Sequence, residues 1–338
     1  MQQQKDCPFC GSSSKLESQK VEKEFRKEKF HIREFYYKCA TCGEEFTTTS
    51  TDEVTVNQIY NQYREKHGIL FPEELVRLRT KYNLSAQKMA QVLGLGINTY
   101  ANYENGEMPT LANSRLISSA QNPEVFLEYV IQSKEIFSDK AYKGLCKLAK
   151  DLMKEDDDSF VLYNLNWHQR PNQFTGYVVP DISKLSNLLL LFLEKCNSTH
   201  NDKLKLNKLL FYANFVNYKN TGSSITGFSY RAVPYGPVPT NYDYLFAYLT
   251  NELKLIEAEY SEANNARAYE WYKAVQQSDT SVFNEDELET IMQILERLKD
   301  IPSWDLVELS HKERAWIELK ESRDVVSYQE YGLDVEAI

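Results

Sequence analysis

Two pairs of cysteines near the start of the chain are the residues whose spacing points most directly to chemistry. Each pair encloses two residues and is followed by a glycine: Cys7, Cys10 and Gly11, then Cys39, Cys42 and Gly43. Four thiolates from two such turns can surround a Zn²⁺ ion tetrahedrally. Because four cysteines fill the coordination shell and leave no position for water, we expect a structural zinc site and no catalytic one.

The same cysteine pairs have one other interpretation, as redox dithiols. A thioredoxin-like βαβ pattern around either pair would support it, and the flanking sequence has no such pattern. Instead, charged residues alternate with apolar or aromatic ones over 20–25 and 30–38, with the polar stretch 26–29 between them. This alternation predicts a β-hairpin whose ends the metal would clamp. The two remaining cysteines, Cys146 and Cys196, lie among leucines and are expected in the core.

A helix-turn-helix pattern follows the second cysteine pair. Ser85 is a good N-cap for a first helix with apolar residues facing inward, and a Gly-Leu-Gly turn over 94–96 precedes a second helix. In such a motif the first residues of the second helix are presented to base edges. The predicted DNA contacts are Asn98, Thr99, Tyr100 and Asn102, with Lys88 among the cations that could touch phosphates. The alternative is a helix-turn-helix used only for packing or dimerisation.

These residues resemble the pattern of the Xre/Cro family. The matching positions are Leu78, Arg79, Leu84, Ser85, Ala90, Leu93, Gly94, Thr99, Tyr103, Glu104, Gly106 and Pro109. With the cysteine pairs in front, residues 7–110 look like the zinc-finger and Xre antitoxins of the MqsA type. The resemblance implies a base contact by Asn98, and asparagine can read adenine through two hydrogen bonds. That family has an arginine where this chain has Asn102, so we expect a different operator sequence.

Three motifs follow one another in the C-terminal part of the chain. They are an amphipathic helical segment over 203–215, a Tyr-Gly-Pro-Val loop over 235–238 that cannot be helical, and a segment over 309–316 with a histidine and a tryptophan. Their order resembles the Panacea domain, also called SocA-like, over about residues 181–332. The resemblance implies an antitoxin module that binds and neutralises a protein toxin.

Aromatic residues around these motifs suit a protein-contact surface, because tyrosine and tryptophan bury much area at low entropy cost. The predicted toxin contacts are Tyr230, Tyr235, Pro237, Tyr242 and Trp316. The competing interpretation places the Tyr-Gly-Pro-Val loop and Trp316 in the core. His311 lies near two glutamates, but no nucleophile or phosphate-binding loop accompanies it, so we expect a capping or core role.

Charge is distributed unevenly along the 338 residues, whose formal net charge is −10. Residues 1–123 carry 16 Lys and Arg against 15 Asp and Glu, whereas residues 124–338 carry 23 against 34. Phosphate contacts must therefore come from the front part, and the acidic rear suits a protein partner with a basic surface, although a merely solvated acidic surface would look the same. The longest apolar run, residues 188–193, is too short to span a membrane, and no signal peptide is evident, so we expect a cytoplasmic protein.

The fold class that these patterns predict is mainly α-helical. It comprises a small zinc-ribbon-like β-hairpin module, a five-helix Xre-type domain and a helical Panacea domain with a short β element. The predicted boundaries are 1–52 for the four-cysteine module, 53–123 for the DNA-binding domain, 124–180 for a helical connector and linker, and 181–338 for the Panacea domain. The acidic run 154–158 is expected to end the helical part of the connector.

The favoured function is a non-enzymatic antitoxin of a type II toxin–antitoxin system. It would neutralise a toxin protein through the Panacea domain and repress its own promoter by binding double-stranded operator DNA. We expect a homodimer, because helix-turn-helix proteins usually engage paired half-sites. The alternatives are an adaptor that delivers a bound client to a protease, and a zinc-finger/Xre transcriptional regulator outside toxin–antitoxin systems.

Overall fold

The computed structural model of the protein describes residues 4–153, 169–196, 201–260 and 270–336. The chain divides into two compact units, Met1–Asn61 together with Leu162–Ile338, and Gln62–Val161. The acidic run 154–158 of the predicted connector lies outside the described residues. Among those residues, no helix is long and apolar enough to cross a bilayer.

An antiparallel sheet with the strand order β1-β2-β3-β4 begins the first unit. Its strands are β1 (Gln4–Asp6), β2 (Ser13–Phe25), β3 (Glu28–Cys39) and β4 (Glu45–Phe46). The β2–β3 pair confirms the predicted hairpin, but its turn is shorter than the polar stretch suggested. Only Arg26 and Lys27 form the turn, both with positive φ, which is the backbone geometry that matches the twist of a tight hairpin.

The helix α1 (Thr49–His67) follows the sheet and contains the boundary between the two units. Within the first unit, the Gln58 side chain of α1 accepts one hydrogen bond from the backbone of β3 and donates another to it. Arg33 N donates to Gln58 Oε1 (2.9 Å), and Gln58 Nε2 donates to Arg33 O (2.8 Å). The rings of Phe25 and Tyr60 lie 5.1 Å apart. These contacts hold the hairpin against the helix.

The second unit is helical. Its helices are α2 (Pro72–Lys81), α3 (Ala86–Val92), α4 (Thr99–Glu104), α5 (Leu111–Ser119), α6 (Pro123–Gln132) and α7 (Asp139–Leu152), with a short 3₁₀ turn at Lys134–Ile136 before α7. Ser85 caps α3 as expected and accepts a hydrogen bond from Lys88 N (3.2 Å). The helices α6 and α7 come from the predicted connector, yet they share the core of α2–α5. Tyr82 stacks on Phe126 with 3.5 Å between ring centroids.

The C-terminal part of the first unit surrounds one central helix. Its elements are α8 (Ile182–Lys195), α9 (Lys203–Thr221), β5 (Tyr230–Val233), β6 (Gly236–Pro239), α10 (Tyr242–Ala247), a π-helical turn (Tyr248–Glu252), β7 (Ile256–Tyr260), β8 (Glu270–Ala274), a 3₁₀ turn (Thr280–Val282), α11 (Glu285–Leu298), α12 (Ser303–Ser310), α13 (Arg314–Leu319), β9 (Val325–Val326), α14 (Tyr328–Tyr331) and a 3₁₀ turn (Gly332–Asp334). The strand order is β6-β5-β9 in one sheet, and β7 pairs with β8 in another.

The helix α9 departs from the amphipathic pattern expected of it. Every residue from 205 to 218 is buried, because other elements cover all of its faces. Asp202 caps its start by accepting from Lys205 N (2.8 Å). Its buried side chains include two lysines, Lys205 and Lys208, and three asparagines, Asn207, Asn214 and Asn217. Their polar groups must therefore find hydrogen-bond partners inside the protein. The helix is therefore the scaffold of the C-terminal region.

Contacts between the N-terminal hairpin and the C-terminal region join the two parts of the first unit. Arg33 on β3 forms an ion pair with Asp334, and Asn57 Nδ2 on α1 donates to Thr221 O at the end of α9 (2.9 Å). The side chains of Arg33 and Asp334 are only 21% and 15% exposed. The cysteine-bearing hairpin is thus packed on the C-terminal region and is not an isolated module.

Candidate functional site

The two cysteine pairs lie on matching turns. Gly11 N donates to Cys7 O (2.9 Å) in the first turn, and Gly43 N donates to Cys39 O (3.0 Å) in the second. The φ angles of Gly11 and Gly43 are +74° and +78°, a conformation that residues with a Cβ rarely adopt. Each glycine therefore allows its chain to fold back so that both sulfurs of a pair point the same way.

The four thiols converge on one point. Cys7 Sγ lies 3.6 Å from Cys42 Sγ, Cys10 Sγ lies 3.5 Å from Cys39 Sγ, and all four sulfurs are within 4.8 Å of one another. A tetrahedral zinc ion with Zn–S bonds of about 2.3 Å would separate its sulfurs by about 3.8 Å. The backbone amide of Cys42 lowers the pKa of Cys39 to about 6, whereas the neighbouring thiols raise the pKa of Cys42, so the thiolate that a metal needs is favoured at Cys39. The donor set fits a structural zinc ion.

The predicted DNA contacts on α4 fall into two groups. Asn98 and Asn102 are exposed, and Asn98, at the N-cap of α4, makes no capping hydrogen bond with its side chain. Thr99 is half-buried. Tyr100 has no exposed surface, and its hydroxyl donates to Leu75 O (2.9 Å). The prediction of a base contact is therefore wrong for Tyr100, which is a core residue.

Two cations near α3 are engaged within the second unit. Lys88 Nζ donates to Ile136 O (2.8 Å), which fastens the turn before α7 to α3. Arg79 Nε donates to Glu104 Oε1 (2.6 Å), which joins the ends of α2 and α4. Lys88 therefore links α3 to the turn before α7, and its predicted contact with phosphate stays a prediction.

The three C-terminal motifs meet at the β5–β6 hairpin. Lys208 Nζ, from the first motif, donates to Pro237 O in the second (3.0 Å). Trp316 Nε1, from the third, donates to Val233 O (2.8 Å). A Cβ at Gly236 would collide with Ser310 Oγ and lie 2.7 Å from Lys208 Cε, so only glycine fits there. We call these contacts of Lys208, Gly236, Ser310 and Trp316 the hairpin lock.

Burial determines the protonation of the groups behind this hairpin. It lowers the pKa of Lys208 to about 7, because the fully buried ammonium loses the hydration that stabilises its charge in water. Burial also lowers the pKa of His311, whose ring stacks on Trp316 with 3.6 Å between centroids. Burial and stacking agree with the core role expected for His311.

The predicted toxin contacts also divide by exposure. Tyr230 has no exposed surface and Pro237 is buried, so the prediction that they contact a toxin is wrong for both. Tyr230 instead hydrogen-bonds Asn214 in the core (3.0 Å). Tyr242 and Trp316 are half-buried. Tyr235, between the two strands, is 51% exposed and remains available to a partner.

Trp304 is a surface residue that sequence reasoning did not assign to the site. It is 57% exposed, and its ring meets that of Tyr235 edge-on with 5.7 Å between centroids. The helical spacing of apolar residues in α12 could have identified Trp304 as exposed. Leu306, Val307 and Ser310 are buried, and a residue two positions before Leu306 falls on the opposite side of the helix. The structure thus brings together an exposed aromatic pair.

Two family models match the chain. Residues 206–317 match the model described as antitoxin SocA-like, Panacea domain. Residues 5–128 match the model described as the antitoxin component of a bacterial toxin–antitoxin system, MqsA. No curated protein matches the chain. The two matches confirm the composition that the motifs predicted: this chain joins an MqsA-type antitoxin segment to a SocA-like Panacea domain.

Proposed function

We propose that this protein is the antitoxin of a type II toxin–antitoxin pair. It binds and neutralises a protein toxin through its Panacea region, and it binds operator DNA as a homodimer to repress its own promoter. The observation that carries the proposal is the presence of two antitoxin matches on separate segments of one chain. The four cysteines would hold a structural Zn²⁺ ion that stabilises the N-terminal sheet.

The toxin-binding surface that we propose is centred on Tyr235 and Trp304. Exposed aromatic side chains of this size are frequent energetic centres of protein interfaces. The hairpin lock supports the backbone on both sides of Tyr235, so little conformational freedom remains to be lost on binding. Asp305 and Glu308 are exposed on the same helix as Trp304. These charges, with the acidic rear of the chain, favour a toxin with a basic rim around an apolar centre.

Co-expression with the product of an adjacent gene that inhibits growth tests this role. The full-length chain should restore growth, also in cells that lack the protease an adaptor would need. The variant Tyr235→Ala/Trp304→Ala should lose toxin affinity by at least about 100-fold, since two interface centres are removed. The control Tyr260→Ala/Met292→Ala removes two exposed residues elsewhere in the same unit and should bind normally. Unimpaired neutralisation by the first variant would exclude this surface. The absence of any growth-inhibiting neighbour would count against the antitoxin role.

The DNA-reading residues that we propose are Asn98 and Asn102, one helical turn apart and both exposed. Asn98→Ala should reduce operator affinity by about 10-fold or more, because a bidentate adenine contact is worth about 1–3 kcal/mol. Its melting temperature should not change, since the side chain caps nothing. Gln132→Ala, at an exposed position on α6, is the matched control. Equal operator affinity of Asn98→Ala and the wild type would rule out Asn98 as a reader.

A further inference from the structure

We propose that α7 is a second DNA-contacting element, which binds the phosphate backbone beside the half-site read by α4. The proposal rests on the DNA binding proposed above and extends it to a part of the chain that the motifs did not mark. Its residues are Lys140, Lys143, Lys147 and Lys150, which we call the α7 lysine stripe.

Helical geometry places the four lysines on one face. Their spacings of three, four and three residues keep them within one side of a helix that turns about 100° per residue. All four are exposed, whereas Leu145 and Ala149 are buried on the opposite side. The result is a single row of ammonium groups along the length of α7, a shape that suits the regularly spaced charges of a phosphate backbone.

Within the described residues, the four lysines of the stripe take part in no ion pair. Arg79 in the same unit is, by contrast, paired with Glu104. A face that only keeps a helix solvated gains from mixing the two signs, because opposite charges four residues apart attract. Lys143 and Lys147 stand four residues apart and repel each other, whereas Asp139 and Asp151 flank the stripe, four residues before Lys143 and four residues after Lys147. The adjacent like charges in the middle of the stripe favour an anionic partner.

The position of α7 in the second unit points to DNA as that partner. The segment leading into α7 is bound along α3 by two hydrogen bonds, from Lys88 Nζ to Ile136 O (2.8 Å) and from Ser133 Oγ to Val92 O (3.2 Å). In helix-turn-helix proteins the first helix of the motif crosses the DNA backbone. The segment that leads into α7 is therefore held beside the helix that would lie nearest the phosphates. The stripe would also supply positive charge that the weakly basic front of the chain otherwise lacks.

The variant Lys143→Gln/Lys147→Gln in the full-length chain tests the proposal, because glutamine keeps the helix propensity of lysine. Binding to operator and to unrelated duplex DNA is measured from about 50 to 200 mM salt. We expect affinity to fall for both duplexes. The slope of log K against log salt concentration should decrease by about 0.9 for each phosphate that the variant no longer neutralises. The control Lys195→Gln/Lys312→Gln removes the same charge at exposed positions of the other unit and should bind like the wild type.

Each outcome bears on one proposal or on both. An unchanged affinity and salt slope in Lys143→Gln/Lys147→Gln, with operator affinity reduced in Asn98→Ala, overturns the stripe and leaves the DNA-reading role intact. A drop in toxin affinity with unchanged DNA binding also overturns it, because the stripe would then bind protein. If the wild-type chain does not bind its own promoter at all, the DNA-reading role and the stripe are both overturned.

Discussion

The β2–β3 and β5–β6 hairpins of the first unit are held in place by different means. The β2–β3 hairpin is long, with strands of 13 and 12 residues, and its closing point is a cluster of four thiols beside the open end of its strands. The β5–β6 hairpin has strands of four residues, and side chains from α9, α12 and α13 surround it. The first ends at a cluster of thiols that could hold a metal, and the second is surrounded by buried donors.

The difference follows from what each hairpin can bury. Many side chains on β2 are exposed, and the apolar burial of this hairpin comes mainly from Phe30, Ile32, Phe35 and Tyr37 on β3. A structural zinc ion at the cysteines would add to this burial and can supply on the order of 10 kcal/mol. The β5–β6 hairpin already lies in a core. There, each buried hydrogen bond contributes about 1 kcal/mol, but leaving a donor or acceptor unpaired costs about 1–3 kcal/mol. We therefore expect metal coordination to stabilise the first hairpin, whereas paired buried polar groups position the second.

Removing the metal clamp should have the largest effect of any change to these hairpins. Cys39→Ser deletes one of the four sulfurs, so we expect loss of stoichiometric zinc and loss of amide protection over β2 and β3. Metal analysis and hydrogen exchange of the purified chain measure both. Amides of β5 and β6 should stay protected, because the hairpin lock contains no metal ligand.

The matched control for the clamp is Cys146→Ser, which alters a half-buried cysteine in the second unit. It should retain zinc and hairpin protection. Full zinc content and an unchanged exchange pattern in Cys39→Ser would mean that the hairpin does not depend on the cysteine cluster, and the contrast between the two hairpins would disappear.

The burial of Lys208 in the hairpin lock should make the stability of the protein depend on pH. In the unfolded chain Lys208 has an ordinary pKa of 10.5, whereas burial lowers the pKa to about 7 in the folded protein. Between these pH values the unfolded chain binds more protons, so the contribution of Lys208 to stability rises with pH, by up to about 5 kcal/mol. Urea unfolding of the wild type and Lys208→Met at several pH values measures this difference. Relative to the variant, the wild type should gain stability as pH rises from 7 to 10.5.

An exposed lysine provides the comparison for this titration. Lys312→Met removes one positive charge from an exposed position of the same unit and is the control for the change in net charge. Parallel stability curves for Lys208→Met and the wild type would show that Lys208 does not lose its proton on folding. The bond from Lys208 to Pro237 would then be an ordinary charged one.

The sequence predicted the first hairpin well because all its determinants are local. The cysteine spacing, the alternation along the strands and the glycines after each pair lie within residues 7–43. The contacts of the hairpin lock could not be predicted from neighbouring residues, because they join Lys208 to Pro237 and Trp316 to Val233 across long stretches of chain. Lysines are rarely buried, so no local rule would select Lys208 as a core residue.

Side-chain direction explains the other errors. Asn98 and Tyr100 are two positions apart at the start of α4, and about 200° of helical rotation turns one to solvent and the other into the core. The motif locates the helix but does not tell which residues face outward. The packing of α6 onto Tyr82 through Phe126 is a tertiary contact that composition does not reveal. Trp304 lies outside the three C-terminal motifs, so the motifs do not mark it as a surface residue.

Removing a single hydrogen bond of the hairpin lock should have the smallest effect of these changes. The substitution Trp316→Phe tests this bond while it keeps the packing of the ring. Trp316→Phe keeps an aromatic ring against His311 but removes the Nε1 donor and leaves Val233 O without its bond. We expect a decrease of about 1–3 kcal/mol in the free energy of unfolding. Because β5 would be held less firmly, toxin affinity should also fall, but less than in Tyr235→Ala/Trp304→Ala. Trp304→Phe keeps the exposed ring and should leave stability unchanged. If Trp316→Phe unfolds at the same urea concentration as the wild type, the Trp316 bond does not hold the hairpin, and Lys208 with Gly236 must position it alone.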